Sequence, residues 1–157
     1  MLKMLKIGIP VLVVLLIVIG LLAPIGPLPG FFIGGTETTA PTTWPDTSAV
    51  HEIRLEVPGT LPRVVIIWVI AHESALYVTG RATSGWVQML GDGGPVRMRL
   101  GDNTYSLVAT AINNNVLPVL TAYMDKYRPD YPDIVADFPS PEEAGDDYVV
   151  FKLNRPG

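Results

Sequence analysis

A chain of 157 residues has room for one membrane anchor and one compact domain, and the anchor inflates its 48% hydrophobic content, so several spans are not implied. It contains no cysteine, which excludes disulfides, thiolate catalysis and cysteine-ligated metals or clusters. The formal net charge is −4, and setting aside Lys3 and Lys6 leaves nine basic against fifteen acidic residues. That balance argues against a nucleic-acid partner, which would need a basic face.

Ile7 to Ala23 carries no charged side chain, and Lys3 and Lys6 stand just ahead of it. Residues 1–23 are therefore expected to form a single-pass transmembrane anchor, since a spanning helix needs about 20 residues. The lysines place the N-terminus in the cytoplasm and the domain outside. A cleaved secretory peptide is the rival reading, but Leu21 is bulky and Pro24 would follow the cut. Residues 24–47 are dense in proline, glycine and threonine and read as a linker. Phe31, Phe32, Ile33 and Trp44 leave two further options open for this stretch: docking at the membrane interface, or packing on the domain as a strap.

Residues 48–157 make the domain. His51 to Val57 alternates, with Ile53, Leu55 and Val57 facing one way, and reads as a half-buried strand. Val64 to His72 is β-branched and apolar on both faces, which predicts one central strand. His72-Glu73-Ser74 turns into a hairpin partner, Ala75 to Thr79. Ser84 can cap a short helix carrying Trp86, Met89 and Leu90. Val96 to Leu100 alternates, Gly101-Asp102-Asn103 is a hairpin turn, and Thr104 to Ile112 continues as a strand. Val116 to Tyr127 reads as a helix with Pro118 in its first turn. Tyr127 to Pro139 reads as a loop with one short helical turn, and Tyr148 to Leu153 as the last strand. About six short strands and two helices predict a mainly β, α+β domain, a small antiparallel barrel.

Catalytic constellations are sparse. His51 and His72 have no metal-ligand spacing, and Ser74, Ser84 and Ser106 lack a nucleophile elbow. The acidic pairs Glu142-Glu143 and Asp146-Asp147 read as solvated loop charge. Thr79 to Trp86 is the candidate binding segment, because it leaves a strand and enters a helix whose free N–H groups suit phosphate. Arg81 adds a charged donor fork, Thr83 and Ser84 add hydroxyls, and Gly85 permits close approach. Trp86 is either core or a cover for a planar ring, and Arg97 or Arg99 could reach the same opening.

At these residues the chain resembles the flavin- and deazaflavin-binding split β-barrel superfamily, which includes deazaflavin-dependent nitroreductases and pyridoxamine phosphate oxidases. The resemblance runs through Val64–Thr79 (VVIIWVIAHESALYVT), Gly80–Leu90 (GRATSGWVQML), Val96–Ala109 (VRMRLGDNTYSLVA), Ala122–Arg128 (AYMDKYR) and Tyr148–Pro156 (YVVFKLNRP). It implies an FMN or deazaflavin cofactor, its phosphate near Arg81, Thr83, Ser84 and Gly85, and Trp68, Tyr77 and Trp86 as ring neighbours. It also implies an oxidoreductase acting on a small or lipophilic substrate, and commonly a homodimer. The phosphate turn departs from the family in lacking a second basic residue. The alternative is a non-catalytic ligand-binding or accessory barrel of the cell envelope, with membrane lipid as the partner of the N-terminal helix.

Overall fold

The computed structural model describes residues 9–18, 24–114, 116–141, 143–144 and 147–157. Residues 9–18 are helical and exposed throughout (α1). Among the described residues no helix is long and apolar enough to cross a membrane, and the remainder of the predicted anchor, residues 1–8 and 19–23, lies outside them. The domain follows as β1 (Thr36–Glu37), β2 (Glu52–Val57), β3 (Arg63–Trp68), β4 (Ile70–His72), β5 (Ala75–Arg81), α2 (Gly85–Leu90), β6 (Gly93–Leu100), β7 (Asn103–Ile112), α3 (Val116–Tyr127), α4 (Pro132–Ala136) and β8 (Tyr148–Asn154).

The strands form one sheet in the order β3-β2-β6-β7-β8-β5-β4, with β1 added in parallel to β7. The two ends of this order, β3 and β4, are consecutive in the chain and separated only by Val69. That single residue closes the sheet on itself, leaving few free edges. The predicted continuous strand Val64–His72 is thus two strands: its first part pairs with β2 and its last part with β5. At the crossing, Val69 is fully buried and its peptide groups leave the ladder. The Tyr127 hydroxyl accepts the Val69 N–H at 2.9 Å, while Lys126 Nζ donates to the Val69 carbonyl at 2.7 Å. Lys126 also donates to the carbonyls of Thr47 and Val50, at 3.0 and 2.7 Å.

Two cores result. Period-two alternation sends Leu76 and Val78 of β5 inward with Leu55, Met98 and Phe151, and turns Tyr77 outward against α3. Inside, α2 plugs the barrel with Trp86 and Val87. A Cβ at Gly80 would overlap Trp86 Cζ2 and lie 2.9 Å from its Cε2, so β5 needs glycine there for the indole to lie against its backbone. Outside, Val119, Leu120, Tyr123 and Tyr127 of α3 cover Ile70, Tyr77 and Val150. The β4–β5 turn forms without glycine: Glu73 and Ser74 both take positive φ, 47° and 65°, as a two-residue hairpin of this hand requires.

Part of residues 24–47 packs on the barrel as a strap. Gly30 exchanges both backbone hydrogen bonds with Val64 at 2.8 Å, and Ile33 is buried. Arg54 and Arg99 each donate to the Ile33 carbonyl at 3.3 Å, and Thr104 Oγ1 donates to Gly34 at 2.6 Å. Trp44 meets Tyr105 edge-on at 5.1 Å.

Gly80→Ala is expected to destabilise the domain by about 1–3 kcal/mol through overpacking against Trp86, read as a lowered denaturation midpoint. Alkaline stability gives a second check. Burial pushes the Tyr123 and Tyr127 hydroxyls above their ordinary range, the Tyr127 shift being partly offset by its bond to Val69. The unfolded chain therefore releases protons first. Stability should be level below the unfolded tyrosine pKa of about 10 and fall above it, with a shallower fall in Tyr127→Phe.

Candidate functional site

β5 ends at Arg81, and the chain then turns through Ala82, Thr83 and Ser84 into α2. The turn is fixed by Ala82 N–H donating to Asp147 O and Ser84 N–H donating to Arg81 O, both at 2.8 Å. It is too tight for its side chains to converge. Arg81 and Thr83 face the α3–α4 side, whereas Ser84 and Gly85 face the N-terminal strap.

On the α3–α4 side lies a cleft of two adjoining parts. The inner chamber, about 170 Å³, is walled by Leu120, Tyr123, Met124, Phe138 and Ala144, with Thr79, Arg81 and Tyr148 supplying its polar edge. It opens beside an outer groove of about 490 Å³ that shares Arg81, Phe138, Pro139 and Tyr148 and adds Ala82, Thr83, Asp137 and Asp147. The Arg81 guanidinium sits 5.7 Å from the centroid of the Tyr148 ring, and Phe138 meets that ring edge-on at 5.9 Å. Among the described residues Arg81 makes no ion pair, and the buried Tyr148 hydroxyl has no hydrogen-bond partner. Buried polar atoms are almost always paired, so an orphan hydroxyl beside an apolar chamber marks a place for a ligand acceptor or donor. Tyr123 next to it stays protonated, because burial, with the negative charge of Tyr127 and Tyr148 when ionised, raises its pKa.

On the strap side, Ser84 and Gly85 line a groove of about 310 Å³ with Arg63, Pro27 and Pro29. The Arg63 guanidinium carbon lies 3.2 Å from where a Gly85 Cβ would stand. Gly85 thus gives close approach to an arginine of the same chain. Ser84 begins α2 with extended backbone but makes no side-chain capping bond.

The remaining expected site residues lie away from the Arg81–Tyr148 cleft. Trp86 is only 5% exposed and packs 5.6 Å from Phe151 in the barrel interior, with an edge on the strap-side groove beside Ser84 and Gly85. Trp68, half-buried, stacks on Tyr127 at 4.1 Å and has Tyr123, Tyr131 and Phe138 around it. Tyr77 is buried under α3. Arg97 is held by Glu56, at 2.9 Å, and by Glu37, and lines no part of the cleft. Arg99 is likewise occupied, with Ile33 and Gly101.

Sequence reasoning passed over Tyr148, Phe138, Tyr123, Leu120 and Met124. The signal was present in the helical spacing of Leu120, Tyr123 and Met124, which shows that α3 turns these residues to one face. A separate titratable group, His51 with Asp130 at 3.1 Å and Tyr131 at 3.3 Å, ties the start of β2 to the loop after α3. Among the described residues no cluster could hold a metal ion.

The closed antiparallel sheet, with helices plugging one side and covering another, is a small split β-barrel, as the resemblance implied. No family model and no curated protein matches the sequence. Several solved structures are similar to it in shape. A NimC/NimA family protein from Clostridium acetobutylicum is 15% identical over 66% of this chain and 73% of that one, with a TM-score of 0.47. An FAD and haem binding protein from Mycobacterium smegmatis is 14% identical over 69% and 62%, with a TM-score of 0.48. An F420 reductase is 16% identical over 73% and 97%, with a TM-score of 0.44. Each is a likeness of shape, and none says what this chain binds.

Tyr148→Phe should stabilise the ligand-free protein or leave it unchanged, since it removes a buried hydroxyl whose burial costs about 1–3 kcal/mol. Equilibrium denaturation would measure it, and a marked loss of stability would show that the hydroxyl has a partner after all.

Proposed function

We propose that the protein binds a flavin- or deazaflavin-type cofactor in the Arg81–Tyr148 cleft and acts as an oxidoreductase on a small or lipophilic substrate. The observation that carries this reading is the pairing of an apolar chamber holding an orphan tyrosine hydroxyl with an arginine, free of any ion pair among the described residues, at its mouth.

The residues present suit such a group in part. Leu120, Met124 and Phe138 offer apolar walls to a ring, Tyr148 a hydrogen-bonding hydroxyl, and Arg81 with Thr83 the donors for a phosphate. The inner chamber alone, about 170 Å³, falls below the roughly 300–1,000 Å³ of common small-molecule sites. A tricyclic ring must therefore extend into the outer groove, where Asp137 and Asp147 disfavour a second phosphate. When bound, such a cofactor supplies the hydride chemistry itself. Arg81 would orient it, Tyr148 would bond its ring edge, and the wall from α3 would exclude water.

The same chamber size favours a second reading, a non-catalytic barrel that binds a smaller ligand. We also keep α1 as the described part of a membrane tether. Its side chains are apolar on every face and exposed, a pattern suited to a hydrocarbon surround. The tether would bring the cleft near bilayer-soluble substrates such as quinones, and the two lysines favour an N-terminus in the cytoplasm with the domain outside.

An absorption spectrum of the detergent-purified protein, then titration with FMN, a deazaflavin and haem, tests the reading. Saturable flavin or deazaflavin binding, weakened about tenfold or more in Arg81→Ala, is the expected result, since a hydrogen bond to a charged group contributes roughly 1.5–3 kcal/mol. A colourless protein that binds none of the three transfers the cleft to the ligand-binding reading. Binding that is unchanged in Arg81→Ala removes Arg81 from the site.

A further inference from the structure

We propose that the strap is a bilayer-docking face, so that the domain lies against the lipid surface in one orientation. The inference rests on the tether reading of α1 and adds to it a surface and a partner.

The strap presents apolar side chains that it cannot withdraw. Ile25 and Leu28 pair their backbones at 3.1 and 3.0 Å, and the two hydrogen bonds between Gly30 and Val64 pin the next residues to β3. Ile33 points into the protein and is held from outside by Arg54 and Arg99 on its carbonyl. With these anchors set, Ile25, Leu28 and Phe32 are 57%, 67% and 63% exposed. Phe31 is exposed beside them. Scattered exposed apolar residues are ordinary, but four within the eight residues from Ile25 to Phe32, on a segment fastened to the domain, mark an interaction surface.

Chain continuity names the occupant. Six residues lie between Val18 of α1 and Ile25, and seven extended steps of at most about 3.6 Å keep Ile25, at the start of the strap, within roughly 25 Å of any bilayer that holds α1. The charges agree. The domain is acidic overall, yet Arg54 and Arg63 beside the strap make no ion pair among the described residues, and the carboxylate that Arg99 meets among them is Asp102, at 3.7 Å. Aromatic rings flanked by arginines are the composition of a membrane–water interface, and free guanidinium charge favours anionic headgroups.

The absence of cysteine makes the test direct. Leu15→Cys, Leu28→Cys, Phe32→Cys and Thr121→Cys, each in the full chain, would carry an environment-sensitive fluorophore in phosphatidylcholine–phosphatidylglycerol vesicles containing nitroxide-labelled lipid. Thr121 is exposed on α3, among residues that cover the second core rather than the strap. Docking is supported when labels at 28 and 32 lose fluorescence several-fold more than the label at 121. Quenching at 15 without quenching at 28 or 32 overturns docking and leaves the tether standing. No quenching at 15 overturns both. A disulfide between copies through Phe32→Cys, with no lipid quenching, assigns the face to a second copy and overturns the proposal.

Discussion

The fold depends on how Val69 is satisfied. The chain crosses there from one edge of the sheet to the other, and a residue in that position can pair with neither neighbouring strand. An unpaired buried peptide group costs about 1–3 kcal/mol, so the crossing needs partners from outside the sheet. They come from adjacent residues of α3. The Tyr127 hydroxyl accepts from Val69 N–H and lies 2.6 and 2.8 Å from the carbonyls of His51 and Val69, its one proton serving one carbonyl at a time. Lys126 brings the Thr47 and Val50 carbonyls to the same point. Partial burial lowers its pKa, opposed by the attraction of Asp46. Barrel closure, the seating of α3 and the fastening of the segment before β2 are thus one interaction.

The candidate cleft follows from that seating. With Tyr127 docked on Val69 and stacked on Trp68, the preceding turns of α3 must lie along β5 and β8. Leu120, Tyr123 and Met124 then form one wall, while the chain returning from α4 to β8 brings Phe138 and Tyr148 to the other. β5 serves both sides, because alternation commits Leu76 and Val78 to the barrel and leaves Thr79 and Arg81 at the cleft. Packing the Trp86 indole against Gly80 fills the barrel interior, so a ligand is left the outer surface under the helices.

The strap shows the same economy of partners. A segment rich in proline and glycine cannot build an extended ladder of its own, and it borrows short sets of hydrogen bonds from β3 and β7 and from arginine side chains. Arginine suits this use, since its fork can reach a backbone carbonyl and still keep its charge at the surface.

Much of the architecture was legible in the residues. Alternation marked β2 and β6, the turn at Gly101–Asn103 led into β7, and Pro118 and the helical pattern bounded α3 as Val116–Tyr127. These features depend on neighbours a few residues apart, which a sequence displays directly. The break at Val69 was not legible, because VVIIWVIAH is uniformly β-branched and apolar, and only pairing with two distant strands divides it. The binding segment was half legible. Its residue types were readable as anion-binding, but the turn at Ala82–Ser84 sends Arg81 and Ser84 to different sides, and Tyr148 joins Arg81 across nearly seventy residues of chain. The sequence by itself determined most of the strands, the helix at Val116–Tyr127, the hydrophobic start and the absence of cysteine chemistry. Tertiary structure alone decided the closure, the packing of the strap and the membership of the cleft, since each depends on contacts between segments far apart in the chain.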